Sequence, residues 1–126
     1  MIQLHLSAAW IGILAGMFSG ALIGLMFHNE GWLGGYQSWP RRLLRLGHIS
    51  FFGIAFLNLG LALTIELGDE SRMAAVASPL LLAGAVLMPT VCLLSAWRKP
   101  LRHLFFLPVC SLLGAGLALV IGGIGS

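Results

Sequence analysis

The chain reads as an all-α integral membrane protein: four transmembrane helices in an up-down bundle, with both termini on the non-cytoplasmic side. Three observations predict this. Hydrophobic residues make up 59% of the 126 and charged residues only 9%, with mean hydropathy +0.98, whereas a soluble domain carries about 25% charged residues. Four apolar segments of 20 residues or more cover roughly 6–27, 46–67, 73–97 and 103–124, and about 20 residues at 1.5 Å rise cross a hydrocarbon core of about 30 Å. The cationic residues fall almost entirely in alternate connections. The segments lack the polar/apolar alternation of membrane barrel strands, and helices close their own backbone hydrogen bonds in lipid. The length fits one domain, 1–126.

Orientation follows from the connections. The first, residues 28–45, holds Arg41, Arg42 and Arg45 against Glu30, and the third holds Arg98, Lys99 and Arg102. The second sets Arg72 against Glu66, Asp69 and Glu70. Cytoplasmic loops carry the excess of Lys and Arg, which places the first and third connections in the cytoplasm of, most simply, a bacterial inner membrane. The net charge of +3 flanks helix ends, so it predicts contact with anionic headgroups, about 1 kcal/mol per cation, and no nucleic-acid partner.

Helix one lacks a cationic leader, so Met1–Gly24 is expected to stay as a helix rather than be cleaved as a signal peptide. Gly12, Gly16, Gly20 and Gly24 repeat every fourth residue, a glycine-zipper groove. Lipid tails are as apolar as leucine, so membrane helices associate by close contact at such small-residue faces. The groove is expected to pack on helix two or four of the same chain; the alternative is a helix of another subunit or a second copy.

The connection 28–45 interleaves Trp32, Tyr36 and Trp39 with glycines before its arginines. Such rings settle at headgroup level, and Pro40 can open a short amphipathic run over Arg41–Arg45. Surface anchoring is one reading and a docking surface for a partner the other.

Helix two carries Asn58, the only side-chain amide near mid-depth, expected to hydrogen-bond a neighbouring helix at about 0.6–2 kcal/mol. Glu66 belongs to the acidic second connection. Helices three and four contain Pro79, Pro89 and Pro108, each expected to remove a backbone hydrogen bond. Cys92 and Cys110 sit at similar depths; inert packing is the expected role, with a copper site including Met88 as an alternative.

His28, His48 and His103 end or begin three different helices on the arginine side. Imidazole is a common haem and metal ligand, so these residues form a candidate b-haem site, with His48 as its best-placed ligand. Gly47 would let a porphyrin approach, and Phe51, Phe52, Phe105 and Phe106 would line it. The structural alternative is three interfacial histidines bonding headgroups, water or free carbonyls. His5, near the N-terminus, stands apart.

The glycine-rich helix, loop and LLRLGHISFFG run resembles the first two helices of heme-copper oxidase-type catalytic subunits, a resemblance over about a third of the chain. There a histidine early in the second helix ligates the low-spin haem, which implies that role for His48. The chain departs from that pattern. Its basic loops put His48 on the cytoplasmic side, whereas the family's ligand lies toward the outer side, and its 126 residues hold none of the family's later histidine-bearing helices.

Two function classes remain. One is a small non-catalytic accessory or scaffold subunit of a multi-subunit membrane complex, respiratory or otherwise electron-transferring. The other is a haem b electron-transfer protein. A small transporter is a weaker third, because paired intramembrane charges and an inverted repeat are missing.

Overall fold

A computed structural model describes residues 2–67 and 72–125, with backbone alone at 27 and 123–125. Asp69 and Glu70 of the acidic connection and the Ile124 side chain lie outside the described residues. Four helices are long and apolar enough to cross a membrane, the composition of a multi-pass membrane protein, and no strand occurs among the described residues. They are α1 (Ile2–Phe27), α2 (Trp39–Glu66), α3 (Arg72–Trp97) and α4 (Phe106–Gly125), with short 3₁₀ segments at Trp32–Gly34 and Lys99–Phe105.

Each helix packs mainly on the next in sequence. On α1 the glycines meet α2 in order. A Cβ at Gly12 would lie 3.0 Å from Ala55 Cβ and 3.2 Å from the Phe51 carbonyl oxygen. At Gly16 it would meet the Phe52 ring at 2.7 Å, and at Gly20 the His48 ring at 2.6 Å. Partners descend along α2 as the glycines climb along α1, so the two run antiparallel. Gly24 has nothing within 4 Å. The groove therefore packs within the chain for three of its four positions and continues beyond the contact.

Helices α2, α3 and α4 enclose the core of Leu61, Ile65, Ala74, Ala77, Leu81 and Ala115. Three of these are alanines with no exposed surface, which brings backbones close enough for dispersion contact where lipid gives no hydrophobic drive. Gly47 contributes to the same packing, since a Cβ there would lie 3.2 Å from Cys92 Cβ. By contrast α1 is held along one face, and Trp10, Ile11, Leu14 and Phe18 stay 64–67% exposed.

Three helix starts differ from expectation, at Ile2, Trp39 and Phe106 rather than 6, 46 and 103, the last two for local reasons. The short amphipathic run expected over Arg41–Arg45 is helical and continuous with α2, which starts at Trp39. Ser38 caps that helix by accepting from the Arg41 N–H (3.4 Å), and Pro40 stands in the first turn, where a missing N–H costs no bond. Pro108 likewise falls in the first turn of α4, so only Pro79 and Pro89 interrupt a helix interior. Helix α4 begins at Phe106 rather than 103, because residues 99–105 wind as a 3₁₀ segment after Pro100.

The connection before α2 is folded. The Asn29 side chain accepts from the Gly31 N–H (3.2 Å). Leu33 takes a left-handed conformation (φ 54°), and Ser38 Oγ donates to its carbonyl (2.8 Å). Arg41, buried, donates to the Glu30 carbonyl (3.3 Å) and lies over the Trp32 ring. Arg45 donates to the Tyr36 carbonyl (2.8 Å), its guanidinium 3.9 Å from that ring's centre. The cations thus hold the loop down, each at a distance where cation–π attraction is worth about 0.5–2 kcal/mol.

Candidate functional site

Two histidine centres occupy opposite ends of the α1–α2 contact, and they differ in nearly every property.

The first is His5, set apart by the sequence reading. It has no exposed surface, and neither does Asn58; Ser78 has 8%. His5 Nδ1 lies 2.7 Å from Asn58 Oδ1 and Nε2 2.7 Å from Ser78 Oγ. The network fixes the protons. Asn58 Nδ2 donates to the Ile54 carbonyl (3.0 Å), so its Oδ1 faces His5 and can only accept. Nδ1 therefore carries the hydrogen, and in the neutral ring Nε2 accepts from the Ser78 hydroxyl. One imidazole thus ties α1 to α2 and α3 with every polar atom satisfied, the condition under which a buried polar group stabilises rather than destabilises.

A serine, a histidine and an asparagine in line is also the order of a nucleophile, a base and its orienting group. Catalysis would further need substrate access and donors for a developing oxyanion. The near-complete burial of all three side chains makes the arrangement an interhelical clamp.

The second centre is His48. It is half-buried, its ring edge-on to Phe52 (centroids 5.4 Å, 88°). Its Nδ1 lies 3.1 Å from Ser19 Oγ, and that hydroxyl donates to the Gly16 carbonyl (3.0 Å). With its single hydrogen so engaged, Ser19 accepts from Nδ1–H, which leaves the Nε2 lone pair outside this chain of bonds. A histidine whose other nitrogen donates to a fixed acceptor has the tautomer suited to a metal ligand. His48 lines an apolar cavity of about 590 Å³ between α1 and α2, with Phe18, Leu22, Met26, Trp32 and Phe51 among its walls. It also lines a smaller recess with Gly20, Gly24 and Arg45.

The other expected ligands are elsewhere. His103 is exposed in a surface recess with Lys99, Pro100 and Arg102. His28 is exposed and lines neither His48 recess. No group of three or more His, Cys, Asp or Glu side chains that could hold a metal occurs among the described residues. Of the expected porphyrin lining, Phe51 borders the His48 cavity and Phe52 touches the His48 ring, while Phe105 borders a different groove and Phe106 is 60% exposed. Gly47 faces Cys92. Cys92 is buried and Cys110 exposed, both as free thiols. The set fits one imidazole ligand to a haem edge and supplies no second histidine beside it.

No family model, no curated protein and no solved structure matches the chain.

Proposed function

We propose that the chain is a small, non-catalytic accessory subunit of a multi-subunit membrane complex, an up-down four-helix bundle with its termini on the non-cytoplasmic side of a bacterial inner membrane. The observation that carries this reading is the outer face of α1. Trp10, Ile11, Leu14 and Phe18 form a stripe of large apolar side chains on a helix supported from one side only. An edge of this kind offers van der Waals area to another transmembrane segment whose small residues receive these side chains. Among the described residues little lies outside the helices. Extraction in mild detergent followed by native electrophoresis tests it: the chain is expected to co-migrate with larger membrane subunits. Leu14→Arg is expected to release it, and migration as a stable lone chain would contradict the role.

A second reading keeps His48 as a residue that would hold a b-type haem, favoured by its Nδ1–H being donated to Ser19 Oγ and by its apolar cavity. Any further histidine would have to come from another subunit, because His28 and His103 line neither His48 recess. A Soret band in the isolated complex, lost in His48→Ala, supports it; a complex colourless at that wavelength removes it.

A further inference from the structure

On the arginine end, the outer face of α2 carries a staggered stripe of Arg42, Arg45, Leu46 and Ile49, in which Leu46 lies one turn deeper than Arg42 and Ile49 one turn deeper than Arg45, the two apolar side chains 46% and 63% exposed. Two recesses meet along this ridge. One, about 430 Å³, lies between the ridge and Phe105, with Trp39 and Arg42 at its head. The other, about 200 Å³, lies between the ridge and Ile23 and Gly24 of α1, with His48 at its side. Arg45 and Ile49 border both, and no carboxylate lines either. Cationic heads joined to two apolar troughs match one kind of molecule.

We propose that this ridge is a binding site for an anionic diacyl phospholipid, the phosphate held by Arg42 and Arg45 and the two acyl chains straddling Leu46 and Ile49. Arg45 spends one N–H on the Tyr36 carbonyl, and a guanidinium has five, so donors remain for a phosphate. Lys99, with its ammonium 5.2 Å from the centre of the Trp39 ring, adds positive potential at the head of the larger trough. The open end of the glycine groove acquires a use: bare Gly24 gives a chain a flat wall where α2 has already diverged. The site stands whether or not the chain docks on a larger complex, because it faces lipid from α2 and not from α1's outer stripe.

Native mass spectrometry of the full chain, taken from nanodiscs of phosphatidylcholine and phosphatidylglycerol into mild detergent, tests this directly. Phosphatidylglycerol is expected to stay bound in preference to phosphatidylcholine. Arg42→Gln, at an exposed position, is expected to cut that retention by roughly fivefold, with unchanged thermal unfolding, and Arg42→Lys to keep most of it. Ile49→Trp fills the junction of both troughs while leaving the cations, and is expected to abolish retention. Equal retention of the two lipids, no effect of Arg42→Gln, or an adduct that survives Ile49→Trp would each overturn the assignment.

Discussion

The two ends of the α1–α2 contact hold one histidine each, and the contrast between them separates folding from binding. At the N-terminal end His5 is sealed, both ring nitrogens spent on Asn58 and Ser78. At the arginine end His48 leans on a single hydroxyl and borders open recesses. The same side chain serves as a rivet where three helices converge and as a wall where two of them part. In lipid, where apolar contact alone barely favours one helix arrangement over another, a satisfied polar cluster selects register. An incompletely engaged imidazole at a recess selects nothing internally and is available to something else.

The sharpest way to break this contrast is Asn58→Leu. It orphans His5 Nδ1–H in a dry site, where an unsatisfied donor costs about 1–3 kcal/mol, and unfolding in dodecyl sulfate titrations should show a loss of about 2–3 kcal/mol. An effect under 0.5 kcal/mol would mean that the cluster is ornamental. Next in size are the glycines. Gly12→Leu drives a side chain against Ala55 and the Phe51 backbone, and overpacking of this sort costs about 1–3 kcal/mol. Gly24→Leu meets nothing and should leave stability within about 0.5 kcal/mol, so the two ends of one repeat should respond unequally in the same unfolding assay. Ser78→Ala removes one bond and should cost about 1 kcal/mol, and a double-mutant cycle with His5 should recover most of that as coupling. Among the hydrogen-bonding variants the smallest effect falls to Ser19→Ala, expected to cost under about 1 kcal/mol at its part-buried site while loosening the His48 ring, visible as altered imidazole chemical shifts.

Much of the fold was legible and much of the site was not, and one physical distinction accounts for both. Depth along a membrane helix can be counted from its polar ends, so the four spans were readable, and the same count assigns His28, His48 and His103 to one level. Azimuth cannot be counted when a helix is apolar all round, because periodicity then marks no face. Equal depth on three helices therefore did not become convergence. Only His48 turns toward a neighbouring helix, while His28 and His103 stay exposed. Of the clamp, Asn58 is the member expected to bond a neighbouring helix, and it does so through His5; the signal for His5 and Ser78 is that they too are polar side chains inside apolar spans, the three lying three residues after Ile2, eight before Glu66 and six after Arg72. Antiparallel neighbours bring such positions to comparable levels. Boundary errors at α2 and α4 came from proline, whose role depends on whether it stands in a first turn or an interior. The folding of residues 28–38 depends on Arg41 and Arg45 turning back onto the loop, a long-side-chain choice that local sequence does not reveal.

Paired unfolding of His5→Ala and His48→Ala in one micelle tests the division of labour most directly. The account predicts that His5→Ala loses about 2–4 kcal/mol, from two hydrogen bonds and the polar groups they leave stranded, while His48→Ala loses under about 1 kcal/mol. Equal losses, or a greater loss at His48, would contradict it.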